Sequence, residues 1–503
     1  MKTLPKRQET RLFSVADIRA GEQALFETQD SYAVMQAAAQ AVTEVIVEDF
    51  PTPQANQCVH IMVGAGNNAG DGLLVAAQLL DWGFAVKVYR LFSQAFCGDA
   101  LKAYQHAEAA GVAMHALETF APQPNDILVE AIFGIGLDRP ITGVAKTAIE
   151  HINAYKAAHP SVRIYAIDTP AGILSDTGAA TGTALIADKT VTFIADKIGL
   201  HTAAGKGCAG QVIVNSLGWE APAERASVFA YRYDAPVGNF RDNSHKGDYG
   251  HALIVGGGRG MFGATVLAAV SALKVGVGKS SIYAHHDYAS QFHLGATPLY
   301  EVMRKADLND LAEYTCVVLG VGLGRDDWGE KHFMSTVAQC HGEAQKLLID
   351  ADGLWHLATA DIAADISVIT PHEAEAARLL HCDIAAVRQD KIHAVRALAK
   401  RYHCVAVLKG AGTLISDGQT VWVNSTGNCC LASAGTGDVL AGMIGGYLAQ
   451  GLSTLDAARY GVFRHGLAAE HYLAAHGDKT LRASDLWQYI AAPRASSQSK
   501  PAK

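Results

Sequence analysis

The chain has 503 residues, 50% hydrophobic and 18% charged, with 49 glycines, 14 prolines and a net charge of −8. This length is too great for one core and predicts two to four domains of ordinary globular composition. The acidic balance argues against nucleic acid and anionic membranes as partners, and no apolar run approaches the roughly 18 residues of a membrane span.

The polar start, Met1 to Arg11, holds no apolar stretch that predicts a secretory signal. Nine scattered cysteines, without a Cys-x-x-Cys pair, suit reduced thiols and a cytoplasmic setting. Residues 12 to 50 read as helical, with Val34, Ala37, Ala38, Ala41, Val42, Val45 and Ile46 recurring at three and four. The apolar run Cys58 to Val63 then ends in a glycine-rich turn holding Asn67, Asn68, Ala69, Gly70 and Asp71, and a helical pattern follows from Leu73. Strand, glycine turn and helix form the context in which backbone N–H groups hold phosphate. Asn67, Asn68 and Asp71 add amide and carboxylate ligands to it.

Val86 to Tyr89 and Ile127 to Phe133 are the next predicted strands. The second runs into Gly134, Ile135, Gly136, Leu137, Asp138, Arg139 and Pro140, a loop whose Arg139 suits a phosphate. Val162 to Ile167 leads to Asp168, and Thr190 to Ile194 leads towards Lys197. Polar residues at successive strand ends predict a parallel sheet with its site along that edge. The pattern closes near Leu217, and residues 221–240, with Pro222, Pro236 and Gly238, read as a linker.

Strand and loop then alternate again. Ala252 to Val255 precedes the Gly256 loop, Thr315 to Leu319 precedes Gly320 to Gly324, and Leu347 to Ile349 precedes Asp350-Ala351-Asp352. Ser367 to Ile369 precedes Thr370-Pro371-His372, Val405 to Leu408 precedes Lys409 to Thr413, and Thr420 to Val423 precedes Asn424. Gly435-Thr436-Gly437-Asp438 opens the helical run Val439, Leu440, Met443, Ile444, Tyr447 and Leu448. A helix N-terminus with free N–H groups attracts phosphate. Asp438 there is either an N-cap or a base aimed at a phosphate ester. The tail, residues 493–503, reads as disordered.

From about residue 241 to 490 the ordered motifs are His-Lys-Gly-Asp-Tyr-Gly, Gly-x-Gly-Leu-Gly, Asp-Ala-Asp-Gly-Leu, Thr-Pro-His-x-x-Glu, Leu-Lys-Gly-Ala-Gly-Thr and Gly-Thr-Gly-Asp-Val-Leu-Ala-Gly. This half resembles the ribokinase-like ADP/ATP-dependent NAD(P)H-hydrate dehydratases. The first half, through Gly-Asn-Asn-x-Gly-Asp-Gly, Phe-Gly-x-Gly-Leu, Asp-x-Pro-x-Gly and Lys-x-Gly-Leu, resembles the NAD(P)H-hydrate epimerase domain. The fused order is similar to the bifunctional NAD(P)H-hydrate repair enzymes.

The resemblance implies an α/β chain: a Rossmann-like three-layer epimerase domain over residues 1–220, and a ribokinase-like dehydratase domain over 241–492. It implies epimerisation of R- and S-NADHX and NADPHX, dehydration of the S form with ADP (or ATP) and Mg2+, and a homo-oligomeric assembly. Asp438 is the implied base of the dehydratase. Lys409, Gly410, Ala411, Gly412, Thr413 and Gly437 carry the nucleotide, and Ala264, Gly322 and His372 meet the hydrate. Taken alone, His372 reads as a hydrogen-bonded structural histidine. In the epimerase half, Asp168 and Lys197 are the acid–base candidates, and residues 67–71 and 134–140 hold the dinucleotide. The family binds K+ through Asn, Asp and Ser positions, which carry over to Asn68, Glu130 and Ala171. Here Glu130 replaces the Asp, and Ala171, replacing the Ser, offers only its backbone carbonyl. Ala69 stands where the family usually has Gly. In the second half Val321, Cys429, Cys430 and Leu431 also depart from the family, and Cys430 is suited to its place only at negative φ. The rival readings are a ribokinase-like small-molecule kinase with a non-catalytic dinucleotide-binding first half, and a nucleotide-sensing protein.

Overall fold

The computed structural model describes residues 4, 6–222, 227–234, 243–288, 300–340, 345–360 and 364–490. Its contacts divide the chain into Arg11–Val228 and a second unit made of Met1–Thr10 with Phe229–Lys503.

The first unit is a seven-stranded sheet, all parallel. Its spatial order is Met114–His115, Ala85–Arg90, Cys58–Val63, Ile127–Ala131, Arg163–Ile167, Lys189–Phe193 and Gln211–Asn215. Alternate residues feed two cores. Val59, Ile61 and Val63 join the core that holds helix Ser31–Asp49, whereas Met62, Leu128 and Ile164 join the one that holds Ile149 and Ile152 of helix Gly143–Ala158. A sheet covered on both faces explains why its strands read as unbroken apolar runs. The predicted helical stretch from 12 to 50 is two helices, Val15–Phe26 and Ser31–Asp49. Ser14 and Asp30 cap them, each accepting from a backbone N–H three residues on.

The second unit carries an eleven-stranded sheet among its described residues. Strands Val302–Arg304, Lys279–Tyr283, His251–Val255, Cys316–Leu319, Lys346–Ile349, Val368–Ile369 and Val405–Leu408 run parallel. Leu414–Ser416 and Val421–Asn424 continue antiparallel. Two more strands finish the edge, Val228–Tyr233 and then Arg7–Leu12, whose residues through Thr10 belong to this unit. The stretch read as a linker therefore contains a sheet strand, and part of the stretch read as the start of the first domain sits in the second unit's sheet. Trp422 donates its indole N–H to Glu9, and Gln8 donates to Asp234. The expected disordered tail and residues 223–226 and 235–240 of the linker lie outside the described residues.

Helix Thr436–Ala449 lies against helix Phe262–Lys274 and the sheet. The approach needs glycine: a Cβ on Gly442 would sit 2.1 Å from the Ala268 carbonyl oxygen. No described helix is long and apolar enough to cross a membrane.

Candidate functional site

In the first unit, Cys58–Val63 and Ile127–Ala131 are neighbours, and successive strands leave them in opposite directions across the sheet. Ligands bind at such a switch point, beyond the strand C-termini. A cavity of about 650 Å3 opens there, lined by Asn67, Asn68, Asp71, Gly134, Ile135, Gly136, Leu137, Arg139, Pro140 and Asp168. Ala69, Gly70 and Asp138 were expected with them and are not in the lining. Helix Asn67–Asp81 begins inside the predicted loop, with Gly66 at its N-cap, so its early residues already follow a helical period. Ala69 is fully buried, and a Cβ on Gly70 would meet Met35 Sδ at 2.8 Å. Asp138 is exposed.

Asp168 sits at a strand end with φ of 70°, and its N–H donates to the Val191 carbonyl at 2.7 Å. This left-handed geometry is costly for a non-glycine residue and concentrates at functional sites. Asp168 Oδ2 accepts from Ile135 N–H at 3.2 Å, and Lys197 Nζ lies 2.8 Å from Oδ1. Lys197 is only 1% exposed and also donates to the Phe193 carbonyl. It therefore stands behind Asp168 and supports it, outside the cavity lining.

Glu22, on helix Val15–Phe26, and Asp71 enter the same cavity. Burial, then the Asp168 charge, raises the carboxyl groups of both, that of Asp71 well above the usual range. The site thus offers a carboxylate paired with lysine beside two carboxyls biased towards their protonated form.

The residues expected to hold potassium are arranged otherwise. Glu130 Oε1 accepts from Ile132 N–H at 2.6 Å and Phe133 N–H at 3.4 Å, and Oε2 accepts from Ala171 N–H at 2.9 Å. Asn68 Nδ2 donates to the Phe133 carbonyl, and its buried Oδ1 has no partner. A carboxylate turned onto three N–H groups, with no side-chain oxygen at 171, does not fit a cation site.

The second unit repeats the switch-point logic between His251–Val255 and Cys316–Leu319. Gly322, at φ of 58°, lies there beside the helix that carries Ala264; a Cβ on Gly322 would be 3.0 Å from that of Ala264. The two expected hydrate contacts are therefore neighbours. Gly435, at φ of 87°, is the N-cap of helix Thr436–Ala449, which places Asp438 in the first turn and not at the cap. Burial first, then Asp350, pushes the Asp438 carboxyl up to about 7, with Lys409 opposing.

Lys409 opens the hairpin loop between Val405–Leu408 and Leu414–Ser416, which Thr413 closes by donating its hydroxyl to the Gly410 carbonyl at 2.9 Å. Gly410 and Gly412 both have positive φ, as such a turn requires. The Lys409 ammonium is 2.8 Å from Asp350 Oδ1 and 3.9 Å from Glu375 Oε2. Burial works against its charge, but Asp350 and Glu375 outweigh burial and raise its pKa. A Cβ on Gly437 would lie 3.6 Å from Nζ, so the lysine reaches the Gly-Thr-Gly turn.

His372 is the N-cap of helix Glu373–Leu380: Nδ1 accepts from Ala374 and Glu375 N–H, and Glu375 Oε2 accepts from His372 N–H at 2.7 Å. The structural reading of this histidine is thus realised, and Nε2 of its exposed ring lies 3.4 Å from Glu375 Oε1. Burial, then Lys409, lowers its pKa. Burial, against Lys409 and with Asp350, raises that of Glu375. Cys430 is absent from the positive-φ residues, so its side chain is no obstacle.

Sequence reasoning gives no role to Glu22, Asp350 or His465. Asp350 follows a strand as Asp168 does, and the strand-end rule would have found it. His465 is buried within helix Thr454–His476, with Nε2 unpartnered and its pKa lowered to about 4 by burial. Nothing in its small-residue surroundings signals it.

Comparison with known proteins agrees with both halves. Residues 252–492 match the family described as NAD(P)H-hydrate dehydratase, and residues 31–199 match the YjeF-related protein N-terminus. The bifunctional NAD(P)H-hydrate repair enzyme Nnr of Escherichia coli is 33% identical over 97% of this chain and 95% of its own length. That of Vibrio cholerae is 35% identical over 96% and 97%. The ADP/ATP-dependent NAD(P)H-hydrate dehydratase from Bacillus subtilis, co-crystallised with ATP/Mg2+, is 26% identical over 50% of this chain and 91% of that one, with a TM-score of 0.44. The chain belongs to the bifunctional NAD(P)H-hydrate repair enzymes, which join an epimerase to a dehydratase.

Proposed function

We propose that the second unit dehydrates S-NADHX and S-NADPHX at Asp438, with ADP as the nucleotide, and that the first unit interconverts the R and S forms at Asp168. The observation that carries the reading is the Asp438 carboxyl, pushed up to about 7 beside a glycine turn and a lysine-anchored phosphate loop. A general base is most effective with a pKa near the working pH.

Hydroxide is a poor leaving group, so the hydrate's hydroxyl must first be activated. Asp438 takes the hydroxyl proton as that oxygen attacks the terminal phosphorus, and the bond to the departing nucleotide oxygen breaks with its electron pair. The N–H groups of Gly435 to Gly437 and the Lys409 loop meet the charge that develops on the phosphoryl oxygens. Phosphate then leaves with the C–O electron pair, and loss of a proton from the adjacent ring carbon restores the double bond. Asp350 and Glu375 are oxygen donors suited to a magnesium–nucleotide, in which the ion neutralises phosphate charge.

In the first unit, Asp71 or Glu22 protonates the hydroxyl, which leaves as water with the C–O electron pair while the ring nitrogen's lone pair forms an iminium; water then adds to the opposite face and gives its proton to Asp168. Helix Asn67–Asp81 presents its N-terminal N–H groups to the pyrophosphate, with Arg139 nearby. Nine free cysteines support a reducing, cytoplasmic setting.

Product balance tests the second unit. S-NADHX with ADP is expected to yield one NADH and one inorganic phosphate per nucleotide consumed. A stable phosphorylated substrate without NADH would return the chain to the small-molecule kinases.

A further inference from the structure

We propose that Glu130 takes the place of a bound cation in the first unit, strapping the two loops that set Asp168. The inference rests on the epimerase reading of the cavity. One loop, beginning at Ile132, supplies the Ile135 N–H that donates to Asp168 Oδ2. The other carries Asp168 itself and Ala171. The Glu130 carboxylate grips both, through Ile132 and Phe133 on one oxygen and Ala171 on the other. Both partners of the Ile135–Asp168 hydrogen bond are therefore fixed by one buried side chain, 1% exposed.

The chemistry of these donors disfavours a cation. N–H groups point their positive ends at both carboxylate oxygens, and an ion sharing those oxygens would face the same dipoles. Each hydrogen bond uses a lone pair that a cation would need, and three N–H groups already occupy the two carboxyl oxygens. A hard cation gathers about six oxygens or more. Of the three expected side chains, only Asn68 Oδ1 is left without a partner, and Ala171 contributes none. An aspartate at 130, one methylene shorter, would not span to both loops. Reach, and not charge alone, makes the strap.

The test uses the full-length chain in potassium chloride and in choline chloride at equal ionic strength, read by thermal unfolding and by chromatographic exchange of the NADHX epimers. For the unaltered protein, the unfolding transition of the first unit is expected to coincide in the two salts, and so is the epimerisation rate. A saturable rise of either with potassium overturns the proposal. In the double variant Glu130→Asp with Ala171→Ser, the strap is cut and side-chain oxygens are supplied. Epimerisation in choline is expected to fall by about 10-fold, since small misplacements of a catalytic group cost that much or more, and potassium is expected to restore it. Loss without rescue marks Glu130 as merely structural and also overturns the proposal. The thermal transition of the first unit reports that the variant is folded, and if it is not, the potassium titration of the unaltered protein decides alone. Absence of epimerisation in every salt would remove the epimerase reading, while the thermal comparison would still judge the strap.

Discussion

The two candidate sites are built alike and charged differently. Each lies near a switch point between parallel strands, and each joins an aspartate to a lysine. In the first unit Lys197 contacts Asp168 directly at 2.8 Å. In the second, Lys409 spends its close contact on Asp350, and Asp438 has no ion pair within 4.0 Å among the described residues. The consequence is visible in the protons. Asp438 is left to burial and to like charge, which carry it up to about 7. In the first unit it is the neighbouring carboxyls that rise: burial first, then the Asp168 charge, raises Asp71 and Glu22. Burial and like charge thus raise Asp438 itself in the second unit, whereas in the first unit they raise the carboxyls beside the lysine-paired aspartate.

The largest expected break in this contrast comes from Asp438→Asn. Dehydration should fall by about 1,000-fold, within the range of general-base loss, while epimer exchange by the same molecules is unchanged. Chromatography of the epimers beside NADH absorbance reads both. Next, Lys409→Met leaves Asp350 buried without its partner and should destabilise the second unit by about 3 kcal/mol, measured as a lower denaturant midpoint. The same Asp438→Asn change should stabilise the second unit above pH 7 by about 1 kcal/mol, a typical gain when a strained site group is removed. The sign follows from linkage. A carboxyl with a raised folded pKa makes the fold less stable as pH climbs from its unfolded value to about 7, and asparagine has no such loss. The gain should vanish at pH values below the unfolded carboxyl's. Finest is the pH profile. Dehydration should be lost as pH falls through about 7, and Asp350→Asn, by removing a like charge, should move that limb to lower pH. An unmoved limb would assign the ionisation elsewhere.

Much of the scaffold was legible because it is local. Val405–Leu408 was read from its apolar run to the residue, and the strand before each polar loop was found within one or two positions. Strand pairing at the far edge was not legible: Glu9 and Trp422 meet across 413 positions, and no period in the sequence links them. The short strands Met114–His115, Val302–Arg304 and Leu414–Ser416 carry too few residues to show alternation. Within the sites, residue types were legible and their partners were not. Lys409 reads as a phosphate contact in the sequence, but its hold on Asp350 depends on Val405–Leu408 and Lys346–Ile349 flanking the strand Val368–Ile369. Glu130 was visible as a replacement, whereas its three N–H partners, on two loops about 40 residues apart in sequence, appear only once the sheet is formed.

The central claim is that one chain holds two separable activities, each centred on its own aspartate. The most direct measurement supplies mixed R- and S-NADHX with ADP and magnesium and follows NADH absorbance in the unaltered protein and in Asp168→Asn. The unaltered protein should recover all of the NADH. Asp168→Asn should show a fast phase that stops at the S fraction, with the remainder at the spontaneous rate. Equal, complete recovery by Asp168→Asn would contradict the assignment of the first site, and no recovery by the unaltered protein with ADP or with ATP would contradict the account as a whole.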